Sequence, residues 1–136
     1  MVASQSGQMH AAVLLGLATG LRAFSAPSAL ALRRRPLNAP RRALLLAAAG
    51  ELVADKLPAT PSRLDRRGLS GRVLSSAISG QLVAGPAGAA RSVSAALASA
   101  VAGATVRGRA PGVLAALCED CVAIALASAG AARSGR

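Results

Sequence analysis

Six ionisable residues stand within or beside apolar stretches of the chain and are the candidates for chemistry: Arg22, Glu51, Asp55, Lys56, Glu119 and Asp120. A charge at the centre of a bilayer costs about 2.5–3.5 kcal/mol on insertion scales, so such residues normally face protein or a wet cavity and find partners. Glu51 and Asp55 are four apart and share a helix face, with Lys56 directly after them. The adjacent Glu119 and Asp120 point about 100° apart, so they cannot both face one neighbour equally.

The economical arrangement pairs Arg22 with carboxylates of the second or the last apolar stretch. One or two acids would then be left to titrate or to bind a cation. Two interpretations stay open. In the functional one, the acids converge at mid-membrane and bind a proton, a metal cation or a cationic substrate, as in transporters with broken helices. In the structural one, buried ion pairs fix the helix register and do nothing else.

Cys118 and Cys121 bracket the acidic pair as C-x-x-C. A redox pair would need a helix N-terminus to favour the thiolate, and a zinc site would need two more thiol or imidazole ligands. The flanking residues are apolar and the single histidine, His10, is distant in sequence, so the cysteines are predicted to be two small apolar residues on a helix face. No G-x-S-x-G, Walker-type or H-E-x-x-H pattern occurs. We therefore expect neither an enzyme nor a cofactor or metal site.

The composition indicates which elements position these residues. The 136 residues are 53% hydrophobic but only 1% aromatic, and the mean hydropathy is +0.48. A soluble domain of this size normally buries large side chains, whereas Phe24 is the only aromatic residue here. Alanine, leucine and valine interleaved with glycine and serine are typical of closely packed transmembrane helices.

Five apolar stretches are predicted to be transmembrane or re-entrant helices, at about residues 9–32, 43–57, 69–90, 92–106 and 113–132. The first can cross a hydrocarbon core that needs about 20 residues and carries Gly16 and Gly20 as a GxxxG pair. The second is short, and Pro58 and Pro61 follow it. The predicted fold is all-α: a single polytopic membrane domain, residues 1–136, with four full spans and a short or re-entrant second segment.

The formal charge of +11 is concentrated in arginines at residues 33–42 and 63–72. Apolar stretches lie between and beside these clusters, which is the pattern of loops beside membrane spans. Basic residues interleaved with aromatics are missing, so nucleic acid is not an expected partner. If segment 43–57 dips into the membrane and returns, both clusters lie on the cytoplasmic side, as the positive-inside rule favours. Residues 1–10 carry no Lys or Arg, so no secretory signal is predicted and the first apolar stretch is expected to be retained.

A resemblance to a known family follows from three motifs. They are Gly20-Leu21-Arg22, the stretch at 50–63 with Glu51, Asp55, Lys56 and Pro58, and Glu119-Asp120. The chain resembles the domain of unknown function 4126 family of small bacterial membrane proteins. Members of that family have a Gly-x-Arg in the first helix, a Glu-x-x-x-Asp-Lys-x-Pro stretch and a C-terminal Glu-Asp pair. The resemblance implies an all-helical integral membrane protein with these signature positions, and it implies no activity.

The predicted function is a multi-pass protein of the cell membrane, transporter-like or channel-like, whose acids bind a cation or proton while Arg22 and Lys56 balance them. A homo-oligomer is an expected assembly, because so few spans rarely enclose a pathway alone. The alternative is a structural or assembly protein of the bacterial membrane with buried charge pairs and no transport.

Overall fold

The computed structural model describes residues 2–33, 38–54, 66–110 and 112–135. Over these ranges the protein is all-α, which confirms the predicted class. Its helices are α1 (Val2–Leu21), α2 (Ser25–Arg33), α3 (Ala39–Ala54), α4 (Arg66–Arg109) and α5 (Val113–Arg133). Segment 43–57 corresponds to α3 as far as Ala54, and its last three residues lie outside the described ranges.

The first apolar stretch, 9–32, is two helices rather than one. α1 ends at Leu21 and α2 begins at Ser25, which leaves residues 22–24 as a helix break. α5 runs antiparallel to α1, because Gly130 lies beside Leu15 while Asp120 binds Arg22. α2 instead runs in the same direction as α5, from Arg22 beside Asp120 to Arg33 beside Gly135. The chain therefore reverses at the helix break, and α2 folds back alongside α1.

Helix α4 is a hairpin of two helical halves, residues 66–83 and 86–109. Ala84 and Gly85 have non-helical dihedral angles, and the φ of +63° at Gly85 is in the region that glycine adopts without a steric cost. A Cβ on Gly80 would overlap the carbonyl of Gly88. These residues would be about 12 Å apart along a straight helix. The predicted boundary between residues 90 and 92 is therefore wrong, because Gly85 reverses the chain and Pro86 opens the second half, where a missing N–H is tolerated.

Helix α1 lies at the centre of the bundle and packs through small residues. A Cβ on Gly16 would overlap the carbonyl of Ser92, and a Cβ on Gly20 would overlap that of Ala96. Ser99 Oγ donates a hydrogen bond to the Leu17 carbonyl at 2.9 Å, so a polar contact spans the same close interface. Eleven of the thirteen buried apolar residues are alanine, so the core consists mainly of small side chains.

The helix α3 lies at the edge of the bundle and buries none of its described residues. It runs antiparallel to α2, from Leu44 beside Ser28 to Glu51 beside Ala23. Arg41 at the start of α3 lies near Arg33, whereas the start of α4 lies beyond the helix break, since Ser75 contacts Ala23. Arg33 and Arg41 therefore lie at one end of the bundle, and Arg66 and Arg67 at the start of α4 lie at the other. These described arginines do not share one end of the bundle, because α3 runs from one end towards the other.

Two of the described helices, α4 and α5, are long and apolar enough to cross a membrane. Their most apolar 18-residue windows have mean hydropathies of 1.3 and 1.8, and only 28% of each window is buried inside the protein. Large apolar side chains accordingly face outward, among them Leu74, Leu82, Val101, Leu114 and Val122. Their exposure is what a surface in contact with lipid would show.

Candidate functional site

The helix break places Arg22 inside the bundle. The Arg22 N–H donates to the Ala18 carbonyl and completes the last turn of α1. The Arg22 carbonyl then accepts bonds from both the N–H and the Oγ of Ser25, at 3.1 and 2.8 Å. A serine at this position satisfies backbone groups that the end of a helix leaves open. The side chain of Arg22 is only 3% exposed.

Arg22 forms a buried ion pair with Asp120 of α5. Its Nε donates to Asp120 Oδ1 at 2.7 Å, and a terminal guanidinium nitrogen also bonds to that oxygen. Asp120 is 7% exposed, so both charges are shielded from solvent. Burying either charge alone would be costly, and pairing with hydrogen bonds offsets that cost. The pair joins the end of α1 to the middle of α5.

Glu51 binds the backbone of the same break from the other side. Its carboxylate oxygens accept the N–H groups of Ala23 and Phe24 at 2.8 and 3.0 Å. These amides immediately precede α2, where the unsatisfied N–H groups and the helix dipole favour a negative charge. A carboxylate from α3 therefore acts as the cap that α2 lacks in its own sequence.

Helix α4 closes the break from a third direction. Ser75 Oγ donates to the Ala23 carbonyl at 2.5 Å, and Arg72, one turn earlier, is 6% exposed. Residues 22–24 thus contact side chains from α3, α4 and α5. The structure brings three of the six predicted residues, Arg22, Glu51 and Asp120, to this one point.

Glu119 does not join this cluster. It accepts a bond from Arg107 Nε at 3.1 Å, so its partner lies at the end of α4. The side chain of Arg107 is 28% exposed, which places this ion pair nearer the solvent. Arg107 was missed in the sequence because it directly follows the apolar stretch 92–106. Its signal was the 12-residue spacing to Glu119, which brings the two residues together when α4 and α5 form a hairpin.

A cavity of about 150 Å³ opens beside the helix break, between α2, α3 and α5. Arg22, Glu51, Ser25 and Ser28 supply its polar wall, and apolar side chains such as Ile124 supply the rest. The site is therefore an amphipathic pocket with a buried ion pair and a backbone-bound carboxylate at one end. This is the general form of a small-ligand site, which is largely apolar with a few placed polar groups.

The other predicted positions do not extend the site. Asp55 and Lys56 lie outside the described residues. Cys118 and Cys121 are both free thiols on exposed positions of α5. No group of three or more potential metal ligands occurs where the structure is described. His10 bonds locally, since its Nδ1–H donates to the Ser6 carbonyl at 2.7 Å.

Comparison with protein-family models, with curated proteins and with solved structures finds no match. The resemblance to the domain of unknown function 4126 family therefore stays a prediction. Any function has to be argued from the helix break, its charges and its cavity.

Proposed function

We propose that this chain is a multi-pass protein of the cell membrane, transporter-like or channel-like, in which the helix break is a site for a proton or a small cation. The observation that carries the proposal is the convergence of Arg22, Glu51 and Asp120 on an interrupted helix beside a cavity. Interrupted helices whose half-helix ends meet charged groups form the ion and substrate sites of many secondary transporters.

The lengths of the helices support this arrangement. The two halves of α4 and the whole of α5 have 18, 24 and 21 residues, which is about 27–36 Å each at 1.5 Å per residue. Each matches a hydrocarbon core of about 30 Å. α2 has nine residues and reaches only about 14 Å. With Arg33 at the membrane surface, the helix break lies close to the midplane, so α1 enters the membrane as far as the break and α2 returns to the surface.

Glu51 is the group through which an ion would act on the protein. A proton on its carboxylate would remove the charge that the Ala23 and Phe24 amides bind and weaken both hydrogen bonds. A cation could instead use carboxylate lone pairs that the two amides leave over. In both cases occupancy changes how α3 is attached to α2, so binding is coupled to a movement of α3. Because α3 buries none of its described residues, little packing opposes that movement.

The test measures ion flux into liposomes that contain the purified full chain. A pH-sensitive dye reports proton entry under an imposed potential, and sodium and potassium gradients are applied in parallel. We expect flux that Glu51→Gln lowers at least tenfold while the protein stays folded. The control is Glu119→Gln, which alters the acid outside the cluster and should keep its flux. The proposed ion site would be refuted if liposomes with the wild-type protein pass none of the three ions, or if the Glu51→Gln variant keeps full flux.

A second candidate function is a structural or assembly role in the bacterial membrane. The observation that favours it is that the three described acids of the set, Glu51, Glu119 and Asp120, each bind a group of the protein itself. Under this hypothesis, cells that carry the double variant Arg22→Gln/Asp120→Asn should grow like the wild type, because a neutral pair can still hold the helices together. Under the transport hypothesis the same variant should fold but lose flux.

Two further proposals accompany this function. The chain would belong to the domain of unknown function 4126 family, which the motifs at Arg22, at Glu51 and at Glu119-Asp120 support. A homo-oligomer would complete an ion pathway, since so few spans rarely enclose a pathway alone. Crosslinking of the purified chain in a bilayer would detect that assembly.

A further inference from the structure

A second cavity, of about 470 Å³, lies at the end of the bundle opposite the start of α4. It is formed where α2 ends, α3 begins and α5 ends, and it faces the first half of α4. It shares no lining residue with the cavity beside the helix break. It is therefore a separate site, which the proposed ion binding does not use.

The polar part of this cavity is basic. Arg33 from the last turn of α2 and Arg41 from the first turn of α3 line it, together with Ser134 after α5. None of the described residues that line it is acidic. Arg42 and Arg133 are exposed next to two of these positions along the chain. An anionic group would therefore meet converging positive charge, and a guanidinium can bind a phosphate through two parallel hydrogen bonds.

The remainder of the cavity is apolar. Leu30 and Leu44 form one wall, and Ile78, Leu82 and Val83 of α4 form the other. Ile78 and Leu82 are 49% and 59% exposed, and Leu74, one turn earlier, continues the same strip of α4. The strip leads from the arginines along the helix towards the level of the helix break. A ligand with an anionic head and a long apolar tail would match both parts.

We propose that this cavity binds an anionic phospholipid, with its phosphate between Arg33 and Arg41 and an acyl chain along Leu82, Ile78 and Leu74. Basic pockets between membrane helices are a recognised way of selecting anionic head groups. The proposal rests on the membrane location proposed above but not on ion transport. It links α2, α3 and α4 through a lipid at the end of the bundle where α2 and α3 meet.

The test is native mass spectrometry of the full chain in detergent, titrated with phosphatidylglycerol or with phosphatidylcholine. We expect phosphatidylglycerol to bind at least tenfold more tightly. Arg33→Gln/Arg41→Gln should weaken its binding by about 5-fold per arginine and on the order of 30-fold together. The matched control is Arg67→Gln/Arg109→Gln, which removes two exposed arginines from the other end of the bundle and should change the affinity less than twofold.

A third variant and a competitor separate a lipid site from a phosphate site. Leu82→Gln should weaken phosphatidylglycerol binding while both arginines stay in place. Inorganic phosphate at the lipid's concentration should not displace the lipid. Equal binding of the two lipids, full binding by the Arg33/Arg41 variant, or displacement by phosphate would overturn the proposal. Membrane fractionation of the cells tests the location separately, and failure of the flux assay leaves this result unaffected.

Discussion

Asp120 and Glu119 are adjacent in α5, yet their ion pairs lie in different surroundings. Asp120 turns into the bundle and binds Arg22, whose side chain is 3% exposed. Glu119 turns to the end of α4 and binds Arg107, whose side chain is 28% exposed. Adjacent helical residues point about 100° apart, so Asp120 reaches the buried helix break while Glu119 reaches a partner near the surface. Burial of the cation, rather than the type of acid, should decide how much each pair contributes.

The largest effect is expected from Asp120→Asn. The substitution removes the carboxylate from a buried guanidinium, and breaking such a pair costs about 3–5 kcal/mol. Unfolding of the purified protein in detergent, followed by circular dichroism, measures the loss. The control is Arg22→Gln/Asp120→Asn, which should recover most of it. A single variant as stable as the wild type would show that burial does not distinguish the two pairs.

The next largest loss of stability is expected from Gly20→Ala. This variant tests whether the position of Arg22 depends on the close packing of the last turn of α1 against α4. A Cβ at this position would overlap the Ala96 carbonyl, and overpacking of this kind costs about 1–3 kcal/mol. Gly50→Ala is the matched control, because a Cβ there meets nothing within 4 Å. The same unfolding assay compares the two. Equal stability of both variants would contradict the packing around α1.

Glu51→Gln should have a smaller effect on stability. The amide can still accept one of the two backbone bonds from Ala23 and Phe24, and the charge is lost from the start of α2, so we expect about 1–2 kcal/mol. Hydrogen exchange of residues 22–33 gives a local measurement and should increase in this variant. Exchange that increases equally in α5 would show that Glu51 supports the whole bundle rather than the helix break.

The smallest effect is expected from Arg107→Gln. A partly exposed pair contributes about 1 kcal/mol or less and is weakened by salt. The free energies of unfolding of the wild type and the variant should therefore differ at low ionic strength and become equal at high ionic strength. A loss as large as that of Asp120→Asn would remove the contrast between the pairs.

Much of the helical architecture follows from composition and local pattern. Apolar stretches rich in alanine predicted helices, and the GxxxG pair at Gly16 and Gly20 predicted close packing of α1. The chain reversals were harder to predict. Gly85 reverses α4 by adopting a positive φ, and the sequence does not show which of the fourteen glycines does so. The helix break falls inside an apolar stretch that is long enough for one continuous span.

The candidate site was predictable in its members but not in its contacts. The cost of a buried charge singled out Arg22, Glu51 and Asp120 one by one. Which acid binds Arg22 depends on the relative rotation of α1 and α5, which no local pattern encodes. That Glu51 binds backbone amides rather than a cation depends on where α2 begins. Both are properties of tertiary packing.

The partner of Arg22 lies 98 positions further along the chain. At a synthesis rate of 5–20 residues per second, Asp120 is made roughly 5 to 20 seconds after Arg22. Over that interval α1 has no access to the carboxylate that it binds in the finished protein. The final placement of α1 must therefore wait until α5 has been made. Assembly of this small bundle is consequently timed by its last helix.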